Sequence, residues 1–242
     1  MSALEGKTCI ITGAASGIGR SIARKFHAEG ATLVLVDLDE KGLSKVAGQL
    51  ECEAHVLNVT DKDAVEALFA DRRVDVLCNN AGVLDKLTPL HEVSDELWAK
   101  VMKVNVDGPF FASRVAVQKM VEQGGGAIVN TCSAASLSGG RAGFAYTASK
   151  HALLGMTRSI AWFYGDKGIR CNAVAPGAIQ TKMHMRDVPN AAGIEKYGQY
   201  FATIPAHGKA AQVADAVAFL ASDASSYING ECIAVDGGWR AF

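Results

Sequence analysis

The chain has 242 residues, of which 49% are hydrophobic and 20% charged, so it is long enough to enclose a sizeable core. Its formal net charge of −1 comes without a basic cluster, which argues against a nucleic-acid surface. No apolar run is long enough for a membrane span and the first residues lack the order of a signal peptide, so we expect a cytoplasmic protein.

Short apolar runs alternate with helical patterns along the chain. Strands are predicted at 7–12, 31–37, 53–59, 74–80, 126–132, 169–175 and 231–237. Helices are predicted near 17–29, 40–50, 61–71, 94–123, 146–166 and 209–222. The strand runs are almost continuously apolar, as strands covered on both faces are. The alternation therefore predicts an α/β fold with a doubly wound, mostly parallel sheet.

No linker or repeat divides the chain, so we predict a single domain over 1–242. The stretch 182–208 interrupts the alternation with Pro189, Pro205, several glycines and scattered aromatic residues. A segment of this length inside a compact domain is more often functional than idle. We therefore predict a substrate lid at about 182–208.

Cysteine and histidine spacing indicates neither disulfides nor a metal. The six cysteines are scattered singly, several of them inside apolar runs, as in proteins of a reducing cytosol. The six histidines show no metal-ligand spacing.

A glycine-rich turn joins the first strand to the first helix. Gly13, Gly17 and Gly19 follow the spacing G-x-x-x-G-x-G within "ITGAASGIGRSIA". Glycines let the backbone approach a pyrophosphate at a helix N-terminus, where free N–H groups favour anions. The alternative is an ordinary glycine-rich turn, but its place at the first strand–helix junction favours dinucleotide binding.

Asp37 ends the second predicted strand, 18 residues after Gly19. A carboxylate there can accept hydrogen bonds from the adenosine ribose and would repel a 2′-phosphate. Leu38 follows it, and Arg20 is the only basic residue nearby. Asp37 could instead cap the next helix. We predict NAD rather than NADP as the cofactor.

Tyr146 and Lys150, in "FAYTASKHA", are one helical turn apart and share a face. Alone, this spacing also fits a helix start with one lysine extending to solvent.

An ordered set of motifs decides between these interpretations. The segments "TGAASGIG" (12–19), "NNAG" (79–82) and "PGAIQT" (176–181), with Asn105, Ser133, Tyr146 and Lys150, stand in the order and spacing of a classical short-chain dehydrogenase/reductase. The chain resembles this family over essentially its whole length. The resemblance implies a Rossmann-type three-layer sandwich with a seven-stranded parallel sheet, a nicotinamide cofactor, and hydride transfer between an alcohol and a carbonyl.

The resemblance also implies four catalytic roles. Tyr146 would be the acid/base, because the alkoxide left by hydride transfer must gain a proton. Lys150 would lower the pKa of Tyr146 and bind the nicotinamide ribose. Ser133 would orient the substrate oxygen. Asn105 would hold a water that relays protons, or it could merely mark a helix kink.

Cofactor contacts follow from the same resemblance, with one departure: many relatives have Asp where this chain has Asn58. The predicted NAD-binding residues are Gly13, Ser16, Gly17, Ile18, Gly19, Asp37, Leu38, Asn58, Val59, Asn80, Ala81, Gly82, Tyr146, Lys150, Pro176, Gly177, Ile179 and Thr181.

The substrate is a small-molecule alcohol or ketone whose identity the sequence leaves open. A mostly apolar wall is expected, with Arg141 either pairing with a substrate carboxylate or solvated. The candidate wall residues are Leu84, Ala135, Arg141, Phe144, Met183 and His184.

The sequence leaves two other functions open and also predicts an oligomer. A 3-oxoacyl-(acyl-carrier-protein) reductase remains an alternative, although such reductases generally prefer NADPH and offer basic docking residues. A non-catalytic, NAD-sensing Rossmann protein should lose the tyrosine–lysine pair, which this chain keeps. The resemblance implies a homotetramer, as is common in the family, and apolar residues on several sides of 146–166 favour such an interface, with Trp239 and Phe242 buried against a neighbour.

Overall fold

The computed structural model describes residues 2–181, 188–198 and 200–241, without the side chain of Phe201. Seven parallel strands form one sheet in the order β3-β2-β1-β4-β5-β6-β7. The strands are β1 (Thr8–Thr12), β2 (Thr32–Asp37), β3 (Glu53–Val56), β4 (Val76–Asn79), β5 (Gly126–Thr131), β6 (Ile169–Pro176) and β7 (Cys232–Val235).

Helices cover both faces of the sheet, which gives three layers. They are α1 (Gly17–Ala28), α2 (Glu40–Leu50), α3 (Lys62–Phe69), α4 (Asp95–Met102), α5 (Gly108–Gln123), α6 (Phe144–Tyr164), α7 (Ala191–Gly198) and α8 (Ala210–Ala221). Helices α1, α2 and α8 bury one face, and α3, α5 and α6 the other. The central strands are buried on both faces, as their unbroken apolar runs predict. The doubly wound, seven-stranded parallel fold is therefore confirmed.

Strands β1 and β4 are neighbours at the centre of the sheet. The strand order reverses between them, because the chain continues from β1 toward the β3 edge and from β4 toward the β7 edge. In open parallel sheets, ligands bind outside the carboxyl ends of the strands at such a switch point. The glycine turn follows β1 there and the "NNAG" segment follows β4. The fold thus brings together two motifs that lie far apart in the sequence.

Several predicted elements differ in detail. The helix expected at 94–123 is divided into α4 and α5 by a π-helical turn, Lys103–Asp107, which contains Asn105. A π-helical turn holds about one residue more than an α-helical turn. Strands β3 and β7 are shorter than their apolar runs. The segment 182–208 contains α7, and its residues 182–187 lie outside the described part of the chain.

Within the described residues, no helix combines the length and apolarity needed to cross a membrane. Among the same residues, no group of three or more His, Cys, Asp or Glu side chains could hold a metal ion.

Candidate active site

The glycine turn is packed so closely that side chains would not fit. Gly13 has φ +69°, and a Cβ on it would lie 2.8 Å from Asn80 Nδ2. A Cβ on Gly19 would lie 2.0 Å from the carbonyl oxygen of Gly13. Ser16 precedes α1 without capping it, and the first turn of α1 carries no acidic residue. The exposed N–H groups and the positive end of the helix therefore fit a pyrophosphate, and Ile18 belongs to the same turn.

Asp37 is the last residue of β2 and lies beside the glycine turn. Its Oδ2 accepts a hydrogen bond from Ala15 N at 2.9 Å and its Oδ1 accepts one from Asp39 N at 3.0 Å. Leu38 beside it is 64% exposed, and Arg20 is also exposed. The carboxylate is thus fixed by backbone donors next to the glycine turn, as a ribose-binding group must be.

Asn58 and Val59 follow β3 near the same edge. Asn58 Oδ1 accepts hydrogen bonds from the backbone N–H and the hydroxyl of Thr60, both at 3.0 Å. Val59 is 9% exposed, and a Cβ on Gly108 would lie 2.9 Å from its Cγ2. Val59 therefore packs on the start of α5, while Asn58 shapes the exposed turn.

The "NNAG" segment ties three strands together. Asn80 Nδ2 donates to the carbonyl oxygens of Thr12, at 3.1 Å, and Gly13, at 3.2 Å, while its Oδ1 accepts from the Thr131 hydroxyl at 3.3 Å. Ala81 N donates to Thr12 Oγ1 at 3.1 Å. These bonds hold the glycine turn against the ends of β4 and β5.

The segment after β6 reaches back over the glycine turn. A Cβ on Gly177 would lie 2.8 Å from Asp236 Cα, so the chain leaving Pro176 runs against the backbone after β7. Ile179 forms an isolated bridge with Gly208. The Thr181 methyl lies 3.3 Å from the position of a Cβ on Gly17. The segment after β6 and the glycine turn after β1 therefore lie on facing sides of the predicted dinucleotide site.

Tyr146 and Lys150 lie together on the buried side of α6. Lys150 Nζ is 5.6 Å from the centroid of the Tyr146 ring and donates to the Thr131 carbonyl at 2.7 Å. Their exposed fractions are 3% for Lys150 and 9% for Tyr146. A Cβ on Gly82 would lie 3.6 Å from Lys150 Nζ, so "NNAG" approaches this lysine directly. The tyrosine–lysine pair is part of the site rather than a solvent-facing helix start.

Burial dominates the ionisation of this pair. It raises the pKa of Tyr146 to about 12; a hydrogen bond with Ser133 lowers that pKa, while Cys132 and Asp85 raise it. Burial also lowers the pKa of Lys150 to about 8. In this arrangement desolvation of the phenolate outweighs the favourable interactions, and the lowering of the Tyr146 pKa by Lys150 stays a prediction.

Ser133 stands at the start of a 3₁₀ turn, Ala134–Ser136, directly after β5. Its Oγ accepts a hydrogen bond from Ala135 N at 3.1 Å, and it also bonds to the Tyr146 side chain. Ser136, the neighbouring serine, is 1% exposed and its Oγ accepts from Ser133 N at 3.1 Å. Ser133 therefore faces the tyrosine, while Ser136 shapes the backbone.

Asn105 lies fully buried at the π-helical turn. Its Oδ1 accepts from Val83 N at 2.9 Å, and its Nδ2 donates to the Val83 carbonyl and to Ser149 Oγ, each at 3.0 Å. Ser149 Oγ in turn donates to the Tyr146 carbonyl at 2.8 Å. The kink and a connection to the catalytic helix are both present, and a proton relay through Asn105 stays a prediction.

The predicted substrate wall is only partly assembled. Leu84 is half-buried after "NNAG", but Ala135 is fully buried and presents no surface. Phe144 is 42% exposed and its ring lies 6.1 Å from Trp98 of α4. Met183 and His184 lie outside the described residues.

Arg141 contacts Trp239 in the C-terminal segment. Its guanidinium lies 4.5 Å from the centroid of the Trp239 ring and donates to the Trp239 carbonyl at 3.1 Å. Trp239 is 5% exposed within its own chain, so the expectation that it needs a neighbouring chain for burial was wrong. Arg141 was expected either to pair with a substrate carboxylate or to be solvated; it anchors the C-terminal segment, and a contact with substrate stays a prediction. Phe242 lies outside the described residues.

Asp85 is a site residue that the sequence pattern did not reveal. It is 1% exposed, and its Oδ2 accepts a hydrogen bond from Tyr146 N at 2.8 Å. Nothing in "GVLDKL" distinguishes this aspartate from a solvent-exposed loop residue. A carboxylate so near the tyrosine is visible only in three dimensions.

The arrangement defines a class of protein: a dinucleotide-binding oxidoreductase with a serine, a tyrosine and a lysine grouped at the switch point of a parallel sheet. Comparison with known proteins gives the family. A family model described as enoyl-(acyl carrier protein) reductase matches residues 13–240. The chain belongs to the classical short-chain dehydrogenase/reductase family, whose members are nicotinamide-dependent oxidoreductases.

Two curated relatives cover nearly the whole chain. The 3beta-hydroxysteroid dehydrogenase 2 of Eggerthella lenta is 41% identical over 99% of this chain and 96% of its own length. A 3-oxoacyl-(acyl-carrier-protein) reductase of Thermotoga maritima is 38% identical over 97% of this chain and 98% of its own length.

Solved structures agree with the fold but not on the cofactor. A candidate NAD(P)-dependent gluconate 5-dehydrogenase from Beutenbergia cavernae, with NADP bound at low occupancy, is 38% identical with a TM-score of 0.89 and covers 99% of both chains. A short-chain dehydrogenase from Mycobacterium paratuberculosis bound to NAD is 29% identical with a TM-score of 0.91 and covers 99% of this chain and 100% of its own.

Proposed function

We propose that this protein is an NAD(H)-dependent oxidoreductase that interconverts a secondary alcohol and the corresponding ketone. The observation that carries the proposal is the grouping of Ser133, Tyr146 and Lys150 beside the glycine turn. A bound nicotinamide ring would supply or accept the hydride. The remaining work, which is to orient the substrate oxygen and move its proton, falls to side chains of this chain.

Each side chain has a distinct task in the reducing direction. The Ser133 hydroxyl orients the carbonyl oxygen, and the Tyr146 hydroxyl donates the proton that neutralises the developing alkoxide. The high pKa of Tyr146 keeps that proton in place until an alkoxide, a stronger base, forms. Lys150 binds the ribose and supplies a positive charge to the phenolate, and Asn105 holds the water through which the proton is replaced. Oxidation of the alcohol uses the same steps in reverse.

NAD(H) is proposed over NADP(H) because of the groups at the ribose end. The Asp37 carboxylate lies at the rim of the glycine turn, where a 2′-phosphate would have to sit. Leu38 beside it offers no positive charge, and Arg20 points away from the core into solvent.

A 3-oxoacyl-(acyl-carrier-protein) reductase is the second candidate, favoured by the Thermotoga maritima relative. It would need a surface for an acidic carrier protein and would prefer NADPH by analogy with such reductases. The formal net charge of −1 and Asp37 both weigh against it.

We further propose that the chain forms one domain, works as a homotetramer, and resides in the cytoplasm. The six cysteines of the sequence are all unpaired, which suits a reducing compartment. Exposed apolar residues of α5 and α6 support the tetramer.

A panel of substrates monitored by NADH absorbance tests the proposal. The panel contains hydroxysteroids, sugar alcohols, cyclic diols and a 3-oxoacyl thioester, each with both cofactors. We expect turnover of a secondary alcohol with NAD. Reduction of the thioester with NADPH alone would select the second candidate.

The catalytic assignment is tested by one hydroxyl deletion. Tyr146→Phe should fold and bind NADH but lose turnover by about a thousandfold or more, since it removes only the proton donor. Tyr227→Phe is the matched control, because Tyr227 is fully exposed and remote from the site. If Tyr146→Phe keeps more than about a tenth of the wild-type rate, the acid/base is another group.

A further inference from the structure

The catalytic helix begins without a cap of its own. Gly143 is the residue before α6, and it has no side chain with which to bind the free N–H groups of the first turn. Instead, a separate loop supplies the acceptors. Asp85 Oδ2 accepts from Tyr146 N at 2.8 Å, and the Thr88 carbonyl accepts from Phe144 N at 3.0 Å. The loop after β4 therefore caps the helix that carries Tyr146.

The Asp85 carboxylate is enclosed rather than solvated. The residue is 1% exposed. A Cβ on Gly143 would lie 2.3 Å from Asp85 Oδ1 and 2.5 Å from Oδ2, so only glycine leaves room for the carboxylate. Gly143 has φ −70°, which any residue adopts, so its backbone conformation does not require glycine. Glycine is required at position 143 because the Asp85 carboxylate occupies the space that a Cβ would need.

The backbone after Asp85 is strained in a way that keeps the carboxylate there. Lys86 and Leu87 have φ of 59° and 61°, two consecutive left-handed residues that are not glycine. Such a conformation is unfavourable for any residue other than glycine, and backbone strain of this kind clusters where function requires it. Burial raises the pKa of the Asp85 carboxyl, while the backbone N–H groups of Tyr146 and Leu87 act to lower that pKa.

The same turn receives the helix of the 182–208 segment. Asn190 N donates to the Lys86 carbonyl at 2.7 Å, and Asn190 Nδ2 donates to Glu92 Oε2 at 2.7 Å. A Cβ on Gly193 of α7 would lie 1.9 Å from the Leu87 carbonyl oxygen. Helix α7 thus rests on the strained turn from one side while Asp85 holds α6 from the other.

We propose that Asp85 is a positioning residue for Tyr146, and that the turn from Asp85 to Thr88 couples the docking of α7 to the placement of the catalytic tyrosine. The inference rests on the proposed role of Tyr146. The charge of Asp85 also acts on the reaction, because the carboxylate disfavours the Tyr146 phenolate, as Cys132 does. The carboxylate acts in the same way on Tyr197, on which Arg141 acts in the opposite direction. Among the described residues, Lys150 and Tyr197 are further ionisable groups near Tyr146.

Asp85→Asn tests the positioning and the charge together. The amide keeps the shape but loses the charge and turns an NH₂ group toward N–H donors. We expect kcat of alcohol oxidation to fall about tenfold, because the tyrosine is held less firmly. The KM for NAD should stay within about twofold, and the pH of half-maximal oxidation should fall by about half a unit or more, because less negative charge opposes the phenolate.

Asp61→Asn is the matched control. Asp61 caps α3 by accepting from Ala64 N at 3.1 Å, so its replacement weakens a helix cap without touching the catalytic helix. Its kcat and pH profile should match those of the wild type. If Asp85→Asn behaves like Asp61→Asn, the proposal is wrong.

A second pair of variants tests the geometry without relying on activity. Gly143→Ala should lower the unfolding temperature, because its methyl displaces the carboxylate, and should lower kcat as Asp85→Asn does. In an Asp85→Ala background, Gly143→Ala should be neutral for the unfolding temperature. Additive effects of the two substitutions would overturn the inference. These unfolding temperatures test the contact between Asp85 and Gly143 independently of the proposed function, because they do not depend on whether Tyr146→Phe is inactive.

Discussion

Asp37 is the single side chain on which the proposed cofactor preference turns. We expect the wild type to favour NAD(H), and the double variant Asp37→Ser, Leu38→Arg to shift toward NADP(H). The change removes a carboxylate that opposes the 2′-phosphate and adds a guanidinium that binds it. Fluorescence titrations with NADH and NADPH measure the shift, with Asp39→Ser, which removes the neighbouring carboxylate, as the control. Tighter binding of NADPH than NADH by the wild type would contradict the prediction.

Lys150 gives a pH dependence whose sign follows from its burial. Its pKa in the folded protein is about 8, below the ordinary 10.5, so between these values the unfolded chain binds more protons. The free energy of unfolding of the cofactor-free wild type should therefore rise with pH relative to Lys150→Met. The slope is at most about 1.4 kcal/mol per pH unit.

The window for this measurement is pH 8–10. Above it, Tyr146, whose pKa is about 12, begins to act in the opposite direction, because the unfolded chain then loses its phenolic proton first. Urea unfolding at several pH values measures the difference. A difference between wild type and Lys150→Met that stays constant over this range would show that Lys150 is not desolvated.

Two helical glycines separate local propensity from tertiary packing. Replacing an exposed helical glycine by alanine usually stabilises by about 0.5–1 kcal/mol. Gly48 in α2 has nothing within 4 Å of its would-be Cβ, so Gly48→Ala should follow this rule. Gly19 in α1 would place its Cβ 2.0 Å from the Gly13 carbonyl oxygen. Gly19→Ala should therefore destabilise and weaken NADH binding at least about tenfold, measured by thermal unfolding and fluorescence.

The two substitutions are matched because both residues lie inside helices of the same face of the sheet. Equal stabilisation by both would mean that the close approach of α1 to the end of β1 is not needed. Loss of stability without loss of cofactor affinity in Gly19→Ala would assign the glycine to packing alone.

Helices α5 and α6 expose the apolar surface that supports a homotetramer. A groove between them is lined by Phe110, Val117, Val121, Met156, Ile160 and Tyr164, together with the polar residues Ser113, Arg114, Gln118, Glu122 and Ser159. Phe110 is 45% and Val121 41% exposed, and farther along α6 Trp162 and Phe163 are 79% and 62% exposed. Apolar surface of this extent is usually covered by another chain.

We expect light scattering to give about four times the chain mass of 25.4 kDa. Phe110→Glu should produce a smaller species, because a charge in the groove cannot be buried without a partner. Val56→Glu, on the exposed face of the edge strand β3, is the control that should leave the mass unchanged. A wild-type mass of a single chain would contradict the tetramer.

The sequence alone determined the features that local chemistry dictates. Continuous apolar runs predicted buried parallel strands, and glycines at fixed spacing predicted a turn where a Cβ has no room, as at Gly13 and Gly19. The one-turn spacing of Tyr146 and Lys150 left two interpretations open, and the ordered set of family motifs decided between them. The sequence predicted a possible kink at Asn105 but not a π-helical turn, and it gave no sign of the bonds from Asn105 to Val83 and Ser149, which lie 22 and 44 residues away.

Only the tertiary structure decided the environment of these groups. Asp85 meets Tyr146 across 61 residues of sequence, and Arg141 meets Trp239 across 98. Such contacts leave no periodicity in the chain, because they depend on where two loops end after the sheet has formed. The ionisation of Tyr146 and Lys150 was decided in the same way: spacing places a cation beside a phenol, but the desolvation that dominates both pKa values depends on everything packed around them.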